Sequence, residues 1–329
     1  MKIWFPTIAA GSGADVYVDR LAGALRKHGL QAEITWFDRR FEFTPFLLAG
    51  KHPPRGTDII HANSWNAFAF RKKHIPLVVT EHHCVLDPEF RRHKSSLQHL
   101  YHQHLVRRYE QSSFNHADRI VAVSNYTKAS LQKVFGITDV RVIYNWVDTD
   151  IFRPGKPAAN SGKKLRLLFV GNRSARKGWD TARRVIENLD GDYELAATSG
   201  LDERHRADHA GNIKPLGRLD TAGLVRAYQE CDALLFPSRY EGFGYVALEA
   251  MACGKPVIAA SNSALPELVS DNECGLLCPP DDIDCFVSAC KRMANEPALC
   301  TRLGNNARQR SLKTFSSEEL IRKYIAMYR

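Results

Sequence analysis

The sequence has no long apolar run. Of its 329 residues, 44% are hydrophobic and 25% are charged, and no stretch without a charged side chain exceeds 12 residues, as in Ile3–Ala14, Ile59–Phe70 and Ser95–Val106. A membrane-spanning helix needs about 20 predominantly apolar residues. We therefore do not expect an integral membrane protein.

Short-period repeats and low-complexity tracts are also absent, and the composition is close to that of soluble globular proteins. A disordered chain, a collagen-like repeat and a small disulfide scaffold are thereby excluded. The chain has eight cysteines, seven of them after residue 230, and neither Cys274/Cys278 nor Cys285/Cys290 has a histidine at zinc-ligand spacing. We expect buried free thiols, a reducing compartment and a cytoplasmic protein. Ile3–Ala10 is too short for a signal peptide and is predicted to be the first strand.

Basic residues exceed acidic ones, with a net charge of +10. The excess is concentrated in residues 71–108, which carry eight basic residues and three acidic ones: Arg71, Lys72, Lys73, Arg91, Arg92, Lys94, Arg107 and Arg108 against Glu81, Asp87 and Glu89. Such a patch suits nucleic acid, anionic lipid or phosphorylated small molecules, and its sign alone does not choose among them.

Apolar runs typical of strands alternate with helical periodicity along the chain. This alternation predicts parallel sheets with helices on both faces. The fold class is therefore α/β, with two Rossmann-like domains facing each other across a cleft and ligands at the carboxyl ends of the strands. A Pro/Gly-rich linker is expected from Arg153 to Gly162. The predicted strands are Lys2–Ile8, Ala32–Phe37, Asp58–Ala62, Leu77–Thr80, Arg119–Val123, Val140–Tyr144, Leu165–Val170, Tyr193–Ala197, Ala233–Pro237 and Val257–Ala260.

The most informative segment runs from Phe236 to Ala259 and reads as a strand, a glycine-bearing turn, a helix and a second strand. Backbone N–H groups at the start of that helix favour an anion such as a diphosphate. Glu241 lies before the helix and Glu249 more than a turn inside it. The two carboxylates can accept hydrogen bonds from a sugar and from a ribose.

Glu241-x7-Glu249, opening as Glu-Gly-Phe-Gly, resembles the signature of the retaining GT-B glycosyltransferases of family 4, which take sugars from nucleotide-sugar donors. The resemblance covers nearly the whole chain. It implies an acceptor-binding domain at 1–153, a donor-binding domain at 163–312 and a terminal helix at 316–329 that returns to the first domain. It also implies that Gly242, Phe243 and Gly244 contact the donor and that no metal or other cofactor is needed.

A second matching segment is the loop after Phe169-Val170-Gly171. In the family, an arginine and a lysine of this loop hold the donor diphosphate. Lys177 matches that lysine, whereas the arginine is either Arg173, which we favour, or Arg176. Two cations here would stabilise the leaving diphosphate as its charge develops.

Two N-terminal features complete the resemblance. Gly11 and Gly13 follow the first strand, where the family's loop approaches the donor phosphates. Thr80-Glu81-His82-His83 ends a strand, and the family often has a histidine there near the donor sugar, which would be His82 or His83. His99, His102 and His104 share one predicted helix without a carboxylate or cysteine, so we expect no metal site there.

The resemblance implies retaining transfer of a sugar to a glycan, lipid-linked or other envelope-precursor acceptor, with peripheral contact between the basic patch and an anionic membrane, at its inner face. Two rival functions use the same features. A Rossmann-type oxidoreductase would need a fuller Gly-x-Gly-x-x-Gly, in which Val16 occupies the third glycine position. A nucleic-acid-binding protein would use the basic charge, but no recognition motif accompanies it, so we expect no nucleic acid.

Overall fold

The structure is a computed structural model that describes residues 1–155, 165–199 and 211–329. These residues form two compact units. Unit 1 comprises Met1–Asn145 together with Ser317–Arg329, and unit 2 comprises Trp146–Ser316. Positions 156–162 of the predicted linker lie outside the described residues.

Unit 1 is built on a parallel sheet of six strands in the order β2-β1-β3-β4-β5-β6. The strands are β1 Lys2–Ile8, β2 Gln31–Phe37, β3 Ile59–Asn63, β4 Leu77–Glu81, β5 Arg119–Ala122 and β6 Arg141–Val142. The helices are α1 Gly13–Lys27, α2 Pro88–Arg91, α3 Ser96–Tyr101, α4 Arg107–His116, α5 Asn125–Phe135 and, from the C-terminus, α12 Ser317–Tyr328. A π-helical segment, His102–Val106, joins α3 to α4, and 3-10 turns cover Arg39–Glu42, Pro45–Leu48 and Ala67–Phe70.

Unit 2 has a second parallel sheet, in the order β12-β11-β10-β7-β8-β9. Its strands are β7 Leu165–Phe169, β8 Tyr193–Thr198, β9 Ile213–Gly217, β10 Ala233–Phe236, β11 Val257–Ala260 and β12 Gly275–Cys278. Its helices are α6 Trp179–Glu187, α7 Thr221–Glu230, α8 Tyr245–Ala252, α9 Leu265–Leu268, α10 Ile283–Asn295 and α11 Pro297–Thr314. A 3-10 turn at Ala175–Lys177 precedes α6.

All ten predicted strands are present, most of them within one residue of the predicted bounds. The prediction of a strand over Val140–Tyr144 was wrong in length, because only Arg141–Val142 pairs with β5. Two strands were not predicted, β9 and β12, which occupy the two edges of the second sheet. An edge strand is covered less than a central one, and β9 carries an exposed lysine and proline, so its apolar pattern is weak.

The central strands are buried on both faces, as parallel sheets require. All four residues of β10 are buried, as are all five of β4. Because helices cover both faces of such a sheet, its polar chemistry collects at the carboxyl ends of the strands. Glu81 at the end of β4 and Glu241 soon after β10 both occupy this position.

Helix α12 is tied into unit 1 by a buried network of hydroxyl groups and one imidazole. Tyr17 Oη donates to Tyr324 Oη at 2.8 Å and lies 3.1 Å from Thr80 Oγ1. His61 bridges the same threonine, at 2.6 Å through Nε2, and Tyr328 Oη, at 2.6 Å through Nδ1. Burial, together with the neighbouring His82, lowers the pKa of His61 to about 3. The network therefore contains a neutral imidazole, and through Thr80 it fixes the position of the end of β4.

All eight cysteines are free thiols, and six of them are buried. Burial raises the pKa of several of these thiols, among them Cys231 and Cys290, each to about 12. The prediction of buried free thiols is confirmed for these six.

Candidate active site

Two loops of unit 2 meet at the carboxyl ends of the neighbouring strands β7 and β10. The backbone N–H of Arg239 donates to the carbonyl of Arg176 at 2.9 Å, and Ser238 Oγ lies 3.3 Å from the same carbonyl oxygen. Gly178 packs directly on the carbonyl of Pro237. The loop that carries Lys177 and the loop that carries Glu241 therefore form one surface.

The centre of this surface is a buried ion pair. Lys177 Nζ lies 2.6 Å from Glu241 Oε1, and Ser238 Oγ donates to the same oxygen at 2.6 Å. Glu241 is only 8% exposed. Burial raises the pKa of Glu241, but the charges of Lys177 and Arg176 outweigh it, and the net pKa is below the ordinary value. Glu241 is therefore ionised at neutral pH and accepts two strong hydrogen bonds.

Burial has the opposite effect on the lysine. It lowers the pKa of Lys177 more than the carboxylate of Glu241 raises it, and Arg176 lowers it further. Arg176 also donates to the carbonyl of Tyr240 at 3.2 Å. The charge of Arg176 therefore lowers the pKa of both Lys177 and Glu241.

Arg173 has different surroundings. Its guanidinium carbon lies 4.8 Å from the ring centroid of Trp179, a cation–π distance. The structure thus brings Arg176, rather than Arg173, to the charged pair. Trp179, the first residue of α6, is itself buried against Phe169, with ring centroids 5.1 Å apart.

The backbone around Glu241 is fixed by neighbouring loops. Its N–H donates to Ser263 Oγ at 3.0 Å, and its carbonyl accepts from the N–H of Ala264 at 3.3 Å. Gly244 precedes α8 with a φ of +105°, and a Cβ atom there would lie 3.0 Å from Leu265 Cδ2. The turn from carboxylate to helix therefore requires this glycine.

Gly242, Phe243 and Glu249, which were predicted to contact the nucleotide-sugar donor, are buried. Gly242 is buried, and Phe243 packs against Tyr245 and Phe315, with ring centroids at 5.7 and 5.9 Å. Glu249 is 6% exposed and accepts a hydrogen bond from Tyr228 Oη at 3.2 Å through Oε2. Burial and the charge of Glu249 raise the pKa of Tyr228 well above its usual value, so the phenol stays a donor.

Sequence reasoning missed four residues that shape this site. Ser238 and Ser263 bind Glu241, and Tyr228 binds Glu249. Arg239 bridges Asp180 and Asp281, with distances of 2.6–2.7 Å, and so anchors the loop to α6. Ser238 and Arg239 come just after the buried strand β10, where α/β folds place functional groups, so their position in the sequence could have identified them. Tyr228 and Ser263 lie on other elements, where no local pattern marks them.

The predicted glycine loop lies in unit 1, where Gly11 has a φ of +66°. The Asp15 carboxylate accepts the N–H groups of Ala10 and Gly11, at 3.3 and 2.7 Å, and Ser12 caps the helix through the N–H of Ala14. Gly13 is the first residue of α1. The loop is therefore closed by its own carboxylate, which occupies two of the amides that could otherwise bind an anion.

His82 follows β4 and lines a pocket of unit 1. Its Nε2 atom lies 2.9 Å from Asn63 Oδ1, and its ring packs edge-on against Tyr17, with centroids 4.6 Å apart. Burial, with the charge of His83, holds the pKa of His82 well below the usual value. Because an amide oxygen accepts, Nε2 carries the hydrogen and Nδ1 is left as an acceptor. His83 is exposed, and its ring packs on Phe90.

Unit 1 exposes apolar side chains in the turns at residues 39–48 and in α3, which lies within the basic segment 71–108. Phe43 packs on Tyr101 with centroids 5.7 Å apart, which joins the turns at residues 39–48 to α3. The apolar residues exposed on these two segments by about half or more are Phe43, Phe46, Leu47, Leu97 and Leu100. The basic residues exposed on them or adjoining them are Arg39, Arg40, Arg91, Arg92, Arg107 and Arg108. Two cations of the patch have protein partners: the Lys94 ammonium donates to the carbonyl of Val85, and the Arg107 guanidinium donates to the carbonyl of Val134 at 3.3 Å and packs on the ring of Phe135.

Within residues 1–155, 165–199 and 211–329, no helix is long and apolar enough to cross a membrane. In the same ranges, no three or more histidine, cysteine, aspartate or glutamate side chains are grouped in a way that could hold a metal ion.

Two family models match the chain. Residues 38–151 match the model described as Glycosyltransferase Family 4, and residues 155–310 match the model described as Glycosyl transferases group 1. Among curated proteins, an MMP alpha-(1->4)-mannosyltransferase of Mycolicibacterium hassiacum is 28% identical over 86% of this chain and 72% of its own length. An uncharacterised glycosyltransferase of Methanocaldococcus jannaschii is 32% identical over 62% of this chain. The match spans 57% of that relative's own length.

Solved structures share the fold at lower identity. A sucrose-phosphate synthase from Thermosynechococcus elongatus has a TM-score of 0.86 at 22% identity, covering 100% of this chain and 98% of its own. Anabaena HepE, crystallised with UDP-glucose, has a TM-score of 0.77 at 19% identity, covering 99% of each chain. Neither an oxidoreductase nor a nucleic-acid-binding protein is favoured by these matches. With two parallel six-stranded sheets and matches to both models, the chain belongs to the GT-B glycosyltransferases of family 4 and group 1.

Proposed function

We propose that this glycosyltransferase moves a sugar from a nucleotide-sugar donor to a glycan or lipid-linked acceptor, with retention of the anomeric configuration. The assignment of a nucleotide-sugar donor rests on the buried ion pair of Lys177 and Glu241, whose Nζ and Oε1 atoms lie 2.6 Å apart after the ends of β7 and β10. The crystallisation of Anabaena HepE with UDP-glucose supports the same class of donor.

The donor diphosphate binds Lys177 and Arg176 in this proposal. An ammonium has three N–H donors, so Lys177 can bind Glu241 and a phosphate oxygen at the same time. Both cations then stabilise the charge that develops on the departing diphosphate. Because these side chains supply positive charge at the leaving group, we expect transfer to proceed without a divalent cation. Arg173 joins them only if its guanidinium leaves the Trp179 ring.

Glu241 orients the donor sugar rather than attacking it. It already accepts hydrogen bonds from Lys177 and Ser238, and its lowered pKa makes it a weak nucleophile. Such a carboxylate is suited to accept hydroxyl hydrogen bonds from the sugar. Retention then follows the route that the family resemblance implies, a front-face attack in which the departing phosphate takes the acceptor proton. Glu249, held by Tyr228, binds the ribose hydroxyls.

His82 serves the acceptor side of the reaction in unit 1. Its Nε2 atom is committed to Asn63, so Nδ1 is the acceptor that can receive a hydroxyl hydrogen bond. The lowered pKa keeps the imidazole neutral at neutral pH. A neutral ring orients a hydroxyl without adding a charge next to the sugar.

We propose that unit 1 also attaches to an anionic membrane, where a lipid-linked acceptor would be presented. Its exposed phenylalanine and leucine side chains can enter the interface while the exposed arginines of the turns at residues 39–48, together with Arg91 and Arg92, meet lipid phosphates. The charge complementarity favours an anionic bilayer over a neutral one.

A thermal-shift screen tests the donor proposal directly. UDP, GDP and ADP, and their hexose conjugates, are compared with NAD and a short oligonucleotide. We expect one nucleoside diphosphate and its sugar conjugate to raise the melting temperature, with no loss in EDTA, whereas NAD and the oligonucleotide leave it unchanged. A stabilising sugar donor is then incubated with candidate acceptors, and proton NMR of the product reports the anomeric configuration. An inverted product would overturn retention, and stabilisation by NAD alone would overturn the donor assignment.

A further inference from the structure

Two of the eight cysteine thiols are in contact with each other in unit 2. Cys278 is the last residue of β12 and Cys285 is the third residue of α10, so a loop of six residues separates them. Their side chains are hydrogen-bonded. Because a strand end and a helix start hold the two sulfur atoms side by side, a disulfide between them requires only an adjustment of the loop.

The two thiols differ in their access to solvent. Cys278 is 1% exposed, whereas Cys285 and Cys300 are the two partly exposed cysteines of the chain. Burial, and then the hydrogen bond with Cys285, raises the pKa of Cys278 well above its usual value, so this residue stays a thiol at neutral pH. An oxidant in solution therefore reaches Cys285 first, and Cys278 is placed to react with the oxidised sulfur.

The loop between the two cysteines contains Asp281, which binds two side chains of other elements. Its Oδ1 atom accepts from Arg239 Nε at 2.7 Å and from Thr181 Oγ1 at 3.1 Å. Asp281 has a φ of +65°, a conformation that costs energy in a residue with a Cβ atom. The position of Asp281 therefore depends on these contacts and on the two ends of its loop.

Arg239 connects this loop to the proposed nucleotide site. Its side chain is 14% exposed and bridges Asp281 and Asp180. Its backbone N–H donates to the carbonyl of Arg176 at 2.9 Å, and Glu241 follows two residues later. One side chain thus separates the loop between the cysteines from the residues assigned to the donor.

We propose that Cys278 and Cys285 are a modification site, at which a peroxide oxidises the two thiols to an intrachain disulfide that weakens nucleotide binding through Asp281 and Arg239. The disulfide is independent of the proposed function, whereas its effect on nucleotide affinity rests on that function. Cys290 of α10 also lies near Cys278 and is fully buried, so it is the competing partner that the experiment distinguishes.

The oxidation consumes one peroxide and two thiols. The sulfur of Cys285 attacks a peroxide oxygen, the O–O bond breaks, and a sulfenic acid and one water are formed. The sulfur of Cys278 then attacks the sulfenic sulfur. The S–S bond forms as the S–O bond breaks, and the leaving hydroxide takes the Cys278 proton to give a second water. The two thiols lose two electrons, and these reduce the peroxide to two waters.

The covalent bond brings the two sulfur atoms closer than the hydrogen bond does, so it draws the end of β12 and the start of α10 together. The loop that carries Asp281 has to change with them. We expect the Asp281–Arg239 contact to weaken, while Asp180 still holds the guanidinium. The effect on nucleoside-diphosphate affinity should therefore be a partial loss of about tenfold, the scale of one charge-assisted hydrogen bond.

Peptide mass spectrometry on the full chain tests the disulfide. The reduced protein is treated with equimolar hydrogen peroxide, and the remaining thiols are alkylated. Proteolysis before aspartates cleaves the loop between Cys278 and Cys285, and fragmentation of the linked peptides identifies the bonded sulfurs. We expect a Cys278–Cys285 bond that dithiothreitol reverses.

Variants locate the site. Cys285→Ser and Cys278→Ser should each prevent the disulfide, whereas Cys290→Ala should form it like wild type. Cys300→Ser is the matched control, because it removes the other partly exposed thiol. Oxidation of Cys300 without a Cys278–Cys285 bond, or a bond from either cysteine to Cys290, would refute the site.

Titration calorimetry with UDP and GDP, on reduced and oxidised preparations, tests the coupling. Asp281→Asn should bind as weakly as the oxidised wild type and should respond little to peroxide. Asp284→Asn, an exposed carboxylate of the same loop, should respond like wild type.

The two readouts separate this inference from the proposed function. A disulfide that leaves nucleotide affinity unchanged would refute the coupling through Asp281. If the disulfide forms and the reduced protein binds no nucleotide, the proposed function fails and the modification site stands. If a nucleotide binds and the disulfide does not form, the modification site fails and the donor assignment stands.

Discussion

Gly178 lies so close to Pro237 that a Cβ atom on the glycine would be 2.0 Å from the proline's carbonyl oxygen. Gly178 also has a φ of +71°, a conformation that residues with a Cβ adopt at a cost. This contact, together with the hydrogen bond from the Arg239 N–H to the Arg176 carbonyl, sets the spacing between the Lys177 loop and the Glu241 loop. The ion pair of the site depends on it.

Gly178→Ala should therefore separate the two loops. The left-handed conformation costs about 1–2 kcal/mol in a residue with a Cβ, and the clash with a backbone oxygen adds a similar amount. We expect unit 2 to lose roughly 2–4 kcal/mol of stability and most of its nucleotide affinity. Hydrogen exchange of the β7 and β10 amides in urea measures the first effect. Gly191→Ala is the control, since an added Cβ there meets nothing within 4 Å, and equal losses in both variants would contradict the steric account.

The alternation of apolar strands and periodic helices was sufficient to predict the α/β class and ten of the twelve strands described. It failed at the two edge strands: β9 carries an exposed lysine and proline that weaken its apolar pattern, and β12 is a buried apolar run of only four residues. The segments predicted to form the site lie directly after predicted strands, so their positions could be inferred from the sequence alone.

Contacts between distant segments could not be predicted in the same way. Lys177 and Glu241 are 64 residues apart, and their 2.6 Å contact depends on the neighbouring positions of β7 and β10. Glu110 is an acidic residue on a helix, which ordinarily predicts a solvated face. Only the fold shows that this helix turns it toward Glu81 and away from water.

Lys177→Met should weaken nucleoside-diphosphate binding at least about tenfold, because a charge-assisted hydrogen bond contributes about 1.5–3 kcal/mol. Methionine keeps the packing of the aliphatic stem. The variant should also be less stable, since Glu241 would be a buried carboxylate without its ammonium. Isothermal titration calorimetry with UDP and GDP measures the affinity.

A second substitution separates these two effects. Lys177→Met/Glu241→Gln should recover stability but not nucleotide affinity, while Lys291→Met, an exposed lysine of α10, should change neither. Recovery of affinity in the double variant would mean that Lys177 only neutralises Glu241 and does not bind the diphosphate.

Glu249→Gln and Glu241→Gln should have different consequences. Glu249, held by Tyr228, is assigned to the ribose, so its loss should weaken binding of the free nucleoside diphosphate. Glu241 is assigned to the sugar, so its loss should lower kcat with the intact donor and leave nucleotide affinity within a few fold. Glu230→Gln, exposed at the end of α7, is the control. Identical kinetic profiles for both variants would refute the division of roles.

The contribution of Glu81 to the stability of unit 1 should fall as the pH rises from about 4.5 to 8. The folded pKa of Glu81 is about 8, against an ordinary value of 4.5, so the folded state retains a proton that the unfolded chain releases across this interval. Glu110 acts in the same direction, with Lys94 opposing it by lowering the pKa of Glu110. His61 and His82, whose pKa values burial lowers to about 3, act in the opposite direction and add stability as the pH rises to about 6.5. The Glu81 contribution is complete below pH 4.5 and is lost above about pH 8, so the difference between wild type and a Glu81 variant isolates it.

Glu81→Gln should remove this contribution, because an amide does not titrate, so its stability should fall less or rise more with pH than that of wild type. The urea midpoint of unit 1, measured in half-unit steps from pH 4.5 to 8.5, gives the slope for wild type and variant. Glu33→Gln should retain the wild-type slope, since Glu33 is exposed and paired at the surface with Lys2. Parallel wild-type and Glu81→Gln profiles across this interval would show that Glu81 is ionised in the folded protein.

Membrane attachment should depend on the exposed apolar and basic residues together. Each basic residue near an anionic bilayer contributes about 1 kcal/mol, screened within a Debye length of about 10 Å at 0.1 M salt. Wild type should therefore sediment with phosphatidylglycerol liposomes at low salt, less at high salt, and little with phosphatidylcholine.

Two double variants distinguish the apolar contribution from the electrostatic one. Arg91→Ser/Arg92→Ser should weaken binding at low salt and reduce its salt dependence, whereas Phe46→Ser/Leu97→Ser should weaken binding at every salt concentration. Lys94 is left intact because its ammonium donates to the Val85 carbonyl, so its removal would disturb the fold rather than the surface. The charge-matched control is Arg322→Ser/Lys323→Ser, which removes two exposed cations that pair with glutamates of α12. If that control lost binding as strongly as the Arg91/Arg92 variant, attachment would reflect net charge rather than this surface. If wild type failed to sediment at low salt, the membrane proposal would fall while the glycosyltransferase assignment held.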